Sequence, residues 1–203
     1  MTTAGVVLCG GHSSRFGAPK ALAPLLGKPA AAHLLDAMTR ADLRPVVAVT
    51  GEGGAPAEAL RALGYSLVID DTPLRPSGAS GPLCGVVAAL GELECPVVFW
   101  PVDCPVPPPA LLVELAAGSG AVSVEGNPLC ARLEPAHLPE ALAMLSQGRT
   151  GVRDLLVQLG ASTLAKARVN AHDPHALHTC CFNTPQELHA AEERVRATRA
   201  LER

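Results

Sequence analysis

The 203-residue sequence predicts an α/β fold of three layers, with helices on both faces of a mostly parallel central sheet. Two observations lead to this prediction. Short apolar runs alternate with helix-like patterns, and strand–helix–strand alternation places neighbouring strands parallel. The apolar runs are also nearly unbroken in Val, Ile and Leu, which is typical of strands buried on both faces. The length suits a single domain, residues 1–203, that can bury a substantial core.

The first half of the chain alternates predicted strands with predicted helices. The strands are the apolar runs at residues 5–8, 45–50, 66–69 and 96–100. The helices, at residues 30–41, 55–63 and 83–93, have apolar residues at three- and four-residue spacing, and another helix is predicted at 107–117.

The pattern is looser in the second half. Residues 121–125 and 129–133 are predicted to form a strand pair, with a turn at 126–128. Helices are predicted near 136–145 and 152–159, followed by an extended piece at 163–169. The last helix has a clear start, because Thr184 and Glu187 form a capping box around Pro185 at the first helical position.

The composition argues against several classes of protein. The formal net charge of −3 gives no support to binding of nucleic acid or of anionic membranes. No segment has the length of a transmembrane span, and the N-terminus does not have the layout of a signal peptide. We therefore expect a cytoplasmic protein.

The cysteines and histidines are not expected to form a redox or metal site. None of the seven cysteines is spaced as C-x-x-C, and buried, reduced thiols are predicted at Cys9, Cys84, Cys95, Cys104 and Cys130. A redox pair of Cys180 with Cys181 is the less favoured alternative. His172, His175 and His178 are interrupted by Pro174, so a solvated loop is favoured over a metal site.

A glycine-rich loop at residues 9–20 follows the first predicted strand. Gly10 and Gly11 leave room for close approach of a ligand, and loop N–H groups together with Arg15 and Lys20 suit phosphate oxygens. Neither the P-loop pattern nor the dinucleotide fingerprint G-x-G-x-x-G fits these residues. The loop is therefore interpreted as a triphosphate-binding loop of another kind, and the alternative is an ordinary strand-to-helix turn.

Carboxylates follow two other strands at the same predicted edge of the sheet. Asp103 comes directly after the fourth strand, and Asp70 and Asp71 follow the third. A carboxylate facing a triphosphate suits Mg²⁺, whereas the alternative is an aspartate that caps the next turn. Gly81 and Pro82 open a helix beside this edge.

Four motifs in order resemble those of the molybdenum-cofactor guanylyltransferases, in the wider nucleotidyltransferase group of the GT-A-like, Rossmann-related fold. The family pattern L-A-G-G-x-S-x-R-M-G-x-x-K is matched by LCGGHSSRFGAPK at residues 8–20. Its G-P-L-A-G, P-x-D-x-P and N-T-P-x-[DE]-L motifs are matched at residues 81–85, 101–105 and 183–188. Cys9 and Phe16 replace the Ala and the Met of the first pattern, and Pro19 stands where an acidic residue often precedes the lysine.

The resemblance implies transfer of GMP from GTP to the terminal phosphate of molybdopterin, with Mg²⁺ as cofactor. It implies a nucleotide-binding half at residues 1–117 and an acceptor-binding half at 118–203. It also implies proteins of cofactor biosynthesis or molybdoenzyme maturation as partners. The implied nucleotide-binding residues are Leu8, Cys9, Gly10, Gly11, Ser13, Arg15, Lys20, Asp71, Gly81, Pro82 and Leu83. The implied metal ligands are Asp103 and Asp71, the implied catalytic residues Lys20, Arg15 and Asp103, and the implied acceptor contact Asn183.

Other functions stay open on the same residues. The first alternative keeps the chemistry and uses CTP with molybdopterin, or a sugar phosphate as acceptor. The second is a nucleotide-binding carrier without catalysis. Lys20 and Asp103 argue against the carrier, since binding alone does not require a metal-bridged α-phosphate.

Overall fold

The computed structural model describes residues 2–10, 15–51, 55–70 and 80–201. The described strands are β1 (Ala4–Leu8), β2 (Pro24–Leu25), β3 (Lys28–Pro29), β4 (Val46–Thr50), β5 (Ser66–Ile69), β6 (Val97–Pro101), β7 (Val122–Val124), β8 (Asn127–Leu133) and β9 (Ser162–Leu164). The described helices are α1 (Ala30–Arg40), α2 (Ala57–Ala62), α3 (Pro82–Glu92), α4 (Pro109–Ala117), α5 (Leu138–Ser146), α6 (Val152–Gln158), α7 (Lys166–His172) and α8 (Pro185–Leu201). Short 3₁₀ helices occur at Lys20–Leu22, Pro135–His137 and Leu177–Thr179.

A seven-stranded sheet with the order β5-β4-β1-β6-β8-β7-β9 forms the centre of the protein. The strands β5, β4, β1 and β6 are parallel neighbours, and so are β7 and β9. Strand β8 runs antiparallel to both β6 and β7. The predicted α/β class with a mostly parallel sheet is therefore confirmed, and the described strands other than β2 and β3 belong to one continuous sheet.

Helices cover both faces of this sheet because consecutive strand residues point to opposite sides. Val7 and Trp100 lie on the face covered by α1 and α4, whereas Val6 and Phe99 lie on the face covered by α3, α5 and α6. With aromatic residues at only 2 %, small aliphatic side chains fill most of both layers. Gly85 shows how closely α3 approaches the sheet, since a Cβ there would lie 3.2 Å from Leu8 Cδ2.

A third, smaller cluster packs α8 against the short hairpin β2–β3. It contains the buried residues Ala23, Leu25, Ala30, Phe182 and Leu188. The hairpin was not predicted from the sequence. Its turn places Leu26 at φ 50° and Gly27 at φ 79°, and leucine is an unusual residue at a position that requires a positive φ.

The extended piece predicted at residues 163–169 is wrong in its second half. Strand β9 ends at Leu164, and α7 begins two residues later at Lys166. The Ala, Lys and Arg residues of α7 are good helix formers, so helix propensity was a signal that could have predicted this helix.

The predicted solvated histidine loop is also wrong. His172 ends α7, and the His178 side chain is buried against the buried carboxylate of Asp173, with 2.5 Å between His178 Nδ1 and Asp173 Oδ2. Within the described residues, no three His, Cys, Asp or Glu side chains are grouped to hold a metal ion. No helix of the described part of the chain is long and apolar enough to cross a membrane.

Candidate active site

The ends of four parallel strands lie side by side at the carboxyl edge of the sheet. Leu8 at the end of β1 is in register with Val49 of β4 and Pro101 of β6, and Thr50 is in register with Ile69 of β5. Ligands of open α/β sheets bind beyond this edge. The segments that follow these strands therefore form the candidate site.

Lys20 joins three parts of the chain at this edge. Its ammonium donates a hydrogen bond of 3.2 Å to Asp103 Oδ2 and one of 2.7 Å to Asn183 Oδ1. The Lys20 and Asp103 side chains are only 15 % and 27 % exposed, so solvent screens their ion pair less than it screens a surface pair. The structure thus brings together three of the site residues that the sequence predicts.

The turn that carries Asp103 is held by the end of β6. The buried Trp100 indole donates a 2.8 Å hydrogen bond from Nε1 to the Cys104 carbonyl, and the Cys104 N–H donates to the Pro101 carbonyl. These bonds fix the backbone on both sides of Asp103. Among the described contacts its carboxylate binds Lys20 and caps no backbone N–H, which argues against the simple turn-capping alternative.

The segment 181–183 is held against the Asp103 turn from the opposite side. The Phe182 N–H donates a 2.8 Å hydrogen bond to the Asp103 carbonyl. The Phe182 ring is fully buried and contacts the Phe16 ring at a centroid distance of 5.3 Å. Phe16, which departs from the family pattern, therefore connects the glycine-rich loop to this segment.

The predicted capping box at the start of α8 is confirmed and fixes Asn183. The Glu187 carboxylate accepts hydrogen bonds from the N–H groups of Asn183 and Thr184, and the Glu187 N–H donates to Thr184 Oγ1 at 3.2 Å. The hydrogen bond from the Asn183 N–H, followed by those from Thr184 and the charge of Arg15, lowers the pKa of Glu187. The backbone of Asn183 is thus anchored while its side chain extends to Lys20.

Cys104 and Cys181 form a disulfide, with a Cα–Cα distance of 4.0 Å. The prediction of a reduced thiol at Cys104 is therefore wrong, and so is the alternative pairing of Cys180 with Cys181. The two bonded residues are 77 positions apart, and only the folding of residues 181–183 onto the Asp103 turn brings them together. Cys9, Cys84, Cys95 and Cys130 form no disulfide, as predicted, and all four are buried except Cys95, which is only partly buried.

Asp70, which the sequence offers together with Asp71 as a possible second ligand of Mg²⁺, follows β5 at this edge. Its carboxylate packs against the backbone of Gly10 and Gly51, where a Cβ on Gly51 would meet Asp70 Oδ1 at 1.8 Å and a Cβ on Gly10 would meet Oδ2 at 3.5 Å. The absence of a side chain at Gly51 makes room for it, whereas a Cβ on Gly10 would make an ordinary van der Waals contact. The predicted residues Gly11, Ser13 and Asp71 lie outside the described residues.

The start of α3 requires glycine at position 81. Gly81 has φ 136° and ψ 170°, a conformation essentially restricted to glycine, and a Cβ there would lie 3.0 Å from the Thr150 side chain. Gly81 and Pro82 are exposed, whereas the Leu83 side chain is fully buried and the Leu83 N–H donates to the Thr150 carbonyl.

Cys9 and Arg15 differ sharply in exposure. Cys9 is 4 % exposed, and burial raises the pKa of its thiol to about 12, so the side chain belongs to the core. Arg15 is exposed at the surface of the glycine-rich loop, and the described contacts do not bring it to Lys20 or Asp103. A role for Arg15 in phosphate binding stays a prediction, as does a backbone contact at Cys9.

Asp103 fits a divalent cation only in part. One carboxylate oxygen accepts the hydrogen bond from Lys20, and the other, Oδ1, lies 3.6 Å from Cys104 Sγ. Mg²⁺ is commonly bound by one or two carboxylates together with phosphate oxygens and water. The donor chemistry of Asp103 therefore fits Mg²⁺ if a nucleotide supplies the remaining oxygens.

The fold and the site together define the class of the protein, which is an α/β nucleotidyltransferase. The chain belongs to the MobA-like NTP transferase domain family, whose model matches residues 5–164. It is 33 % identical over 187 residues to a molybdenum cofactor guanylyltransferase of Xanthomonas euvesicatoria pv. vesicatoria, with 90 % of each chain covered. It is also 39 % identical over 103 residues to a probable molybdenum cofactor guanylyltransferase of Bacillus cereus, covering 50 % of this chain and 49 % of that relative.

Solved structures share the fold at lower sequence identity. Molybdopterin-guanine dinucleotide biosynthesis protein A of Archaeoglobus fulgidus has a TM-score of 0.78 and 22 % identity, covering 96 % of this chain and 100 % of the other. A nucleotidyl transferase from Methanothermobacter has a TM-score of 0.69 and 18 % identity, covering 97 % and 99 %. These matches confirm the predicted nucleotidyltransferase fold.

Proposed function

We propose that this protein transfers GMP from GTP to the terminal phosphate of molybdopterin and releases pyrophosphate. The observation that carries the proposal is the position of Lys20 between Asp103 and Asn183. Lys20 is the last residue of the loop proposed to bind phosphates, and Asp103 follows β6. Asn183 belongs to the half of the chain proposed to bind the acceptor. The name of the Xanthomonas relative, which aligns over 90 % of the chain, supports the same choice of substrates.

GTP would lie across the carboxyl edge of the sheet, with its phosphates against the glycine-rich loop. Gly10 leaves no side chain in the way, and Arg15 and Lys20 carry positive charge toward the phosphate oxygens. The base would lie against Gly10 and the exposed pair Gly81 and Pro82. Asp71, beyond the described residues, is retained as a proposed nucleotide and metal contact.

In the proposed reaction a terminal phosphate oxygen of molybdopterin attacks the α-phosphorus of GTP. The bond from that phosphorus to the oxygen bridging it to the β-phosphorus breaks, and its electron pair leaves with pyrophosphate. Lys20 neutralises charge on the α-phosphate oxygens, and Asp103 together with Asn183 hold its ammonium in place. Such catalysis acts by positioning and by electrostatic stabilisation and needs no covalent intermediate with the protein.

Asp103 would hold Mg²⁺, with Asp71 as a second ligand. The cation, when bound, would neutralise negative charge on the phosphate oxygens. Since Asp103 Oδ2 is already bonded to Lys20, we propose Oδ1 as the oxygen that faces the metal.

Pyrophosphate release by the purified protein with GTP, Mg²⁺ and molybdopterin tests the proposal. The expected result is release that needs both substrates, with mass spectrometry showing a product that is heavier than molybdopterin by a GMP unit. A pyrophosphate signal with CTP alone among the nucleotides would redirect the proposal to the cytidylyl transfer. Tight GTP binding without turnover in the presence of acceptor would favour the carrier function.

A further inference from the structure

We propose that Cys104 and Cys181 form a redox-active dithiol/disulfide site that positions the catalytic side chains, and that a dithiol reductant switches it. The proposal rests on the function proposed above for Lys20, Asp103 and Asn183. It assigns to the two cysteines no contact with substrate. Their part is to hold the residues beside them, so they are positioning residues.

The disulfide lies between the groups that Lys20 bridges. Cys104 directly follows Asp103, and Cys181 is two residues before Asn183. The disulfide and the Lys20 side chain are therefore two neighbouring links between the Asp103 turn and segment 181–183. Separation of the two cysteines would therefore act on the distance between Asp103 and Asn183, and through it on the two hydrogen bonds of Lys20.

The other contacts that hold segment 181–183 to the Asp103 turn are non-covalent. Its backbone donates one hydrogen bond to that turn, from the Phe182 N–H to the Asp103 carbonyl. The Phe182 side chain is buried in the third cluster and against Phe16, the Glu187 carboxylate accepts from the Asn183 N–H, and the Asn183 amide binds Lys20. Cleavage of the disulfide removes the covalent cross-link between the segment and the turn, and these non-covalent contacts alone then restrain the segment.

The two cysteines of the disulfide differ in their exposure to solvent. Cys104 is buried at 3 % exposure, whereas Cys181 is only partly buried. Cys181 is therefore the more accessible of the two residues, and we place the attack of the reductant on its sulfur. The Asn127 amide lies 3.7 Å from Cys104 Sγ, where its N–H group can donate to the sulfur that leaves.

The exchange balances with a dithiol as the electron donor. A thiolate of the dithiol attacks Cys181 Sγ, the Cys104–Cys181 bond breaks, and its electron pair leaves on Cys104 Sγ, which takes up a proton. The second thiol of the dithiol then attacks the other dithiol sulfur, the one bonded to Cys181 Sγ in the mixed disulfide. This releases Cys181 as a thiol and the dithiol as a cyclic disulfide, so two electrons and two protons reach the protein.

The experiment compares the full-length protein before and after treatment with dithiothreitol. Alkylation in denaturant should label the five free cysteines before reduction and all seven afterwards. Hydrogen exchange of the Phe182 amide should accelerate about tenfold on reduction, because segment 181–183 opens more readily without the cross-link. A tenfold change in the opening equilibrium corresponds to about 1.4 kcal/mol. In the pyrophosphate assay kcat should fall about tenfold, with the KM for GTP changed less than about twofold, since misplacement of a catalytic group acts mainly on the chemical step.

Two variants separate positioning from a general effect of dithiothreitol. Cys181→Ser should behave before reduction as the reduced wild-type protein does, and dithiothreitol should not change it further. Cys95→Ser, at a partly buried free cysteine outside the site, should keep the full response of the wild-type protein.

Seven labelled cysteines before reduction, even after exposure to an oxidised dithiol, would overturn the proposal. Equal exchange of the Phe182 amide in the two redox states would also overturn it. If neither redox state releases pyrophosphate, the proposed transfer reaction fails. The labelling and amide-exchange results then still decide whether the disulfide holds segment 181–183.

Discussion

Lys20 and Asn183 are 163 residues apart in sequence, and the Lys20 ammonium donates a 2.7 Å hydrogen bond to the Asn183 amide oxygen. The contact joins the end of the glycine-rich loop to a residue two positions before α8. It leaves the Lys20 charge at the carboxyl edge of the sheet, beside Asp103. The position of this one cation therefore depends on both halves of the chain, and the first predictions concern it.

Lys20→Ala should lower kcat about 10²-fold while raising the KM for GTP only slightly, because charge on the transferred phosphate increases toward the transition state. Steady-state pyrophosphate release measures both constants. Lys28→Ala is the matched control, since the Lys28 side chain is 61 % exposed and, among the residues that the structure describes, pairs only with the exposed Asp36. An unchanged kcat with a raised KM would make Lys20 a clamp for the ground-state phosphates.

Asp103→Asn should keep the fold, because the two side chains have nearly the same shape, and should lower activity about 10²-fold or more. The amide loses the charge that holds Lys20 and that would bind Mg²⁺. Turnover is measured over a range of Mg²⁺ concentrations, with circular dichroism to verify folding. Asp36→Asn, on the exposed side of α1, should have wild-type activity. Wild-type turnover of Asp103→Asn at limiting Mg²⁺ would contradict the metal assignment.

The sequence predicted the parts of this site that follow from strand order. Leu8, Thr50, Ile69 and Pro101 end parallel strands, so the loops after them had to share one edge of the sheet. The apolar runs identified these strands in the sequence, because strands buried on both faces have an uninterrupted apolar pattern. Asp103 and the loop at residues 9–20 could therefore be placed together before any contact was known.

The parts that were missed depend on tertiary contacts with no local pattern. The Cys104–Cys181 disulfide and the contact of Phe16 with Phe182 form only because segment 181–183 folds back onto β6. The buried carboxylate of Asp173 shows the same limit, since its partner His178 looked like one member of a regular histidine series. Sequence spacing gave no measure of which of these side chains would be buried.

Gly81→Ala should lower the free energy of unfolding by about 1–3 kcal/mol, the usual cost of a side chain in a backbone region reserved for glycine. Urea unfolding measures the change. Thr150→Gly would remove both 3.0 Å contacts of the new Cβ, with Thr150 Cβ and Oγ1, but not the backbone strain at φ 136°. The double variant should therefore remain less stable than Thr150→Gly alone. Equal stability of those two proteins would attribute the whole effect to the steric contact.

Asp173→Asn should destabilise the protein by about 1–3 kcal/mol at pH 7, since the buried carboxylate accepts hydrogen bonds from the Leu177 N–H, the His178 N–H and the His178 ring. Burial raises the pKa of Asp173, but these hydrogen bonds outweigh the effect of burial and lower the pKa below the ordinary value of 3.8 for an aspartate.

The sign of the pH dependence follows from this lowered pKa. The stability that ionised Asp173 contributes is fully present above the unfolded pKa and is lost as pH falls through the folded pKa. The difference between the wild-type protein and Asp173→Asn should therefore shrink below pH 3.8. Urea unfolding at pH 7 and in this acid range measures it, with Asp42→Asn as a control at an 85 % exposed side chain. A constant difference across the range would assign the effect to packing instead of ionisation.

Selectivity for GTP over CTP tests the proposed position of the base. Gly10 and the exposed start of α3 at Gly81 allow peptide groups to approach a base closely. A site whose peptide groups pair with guanine leaves them unpaired when cytosine is bound, and unpaired buried polar groups are costly. We therefore expect kcat/KM with molybdopterin and Mg²⁺ to favour GTP at least about tenfold, equivalent to about 1.4 kcal/mol. Parallel titrations with the two nucleotides measure this ratio. A preference for CTP would assign the chain to cytidylyl transfer, while the proposed roles of Lys20 and Asp103 would be unaffected.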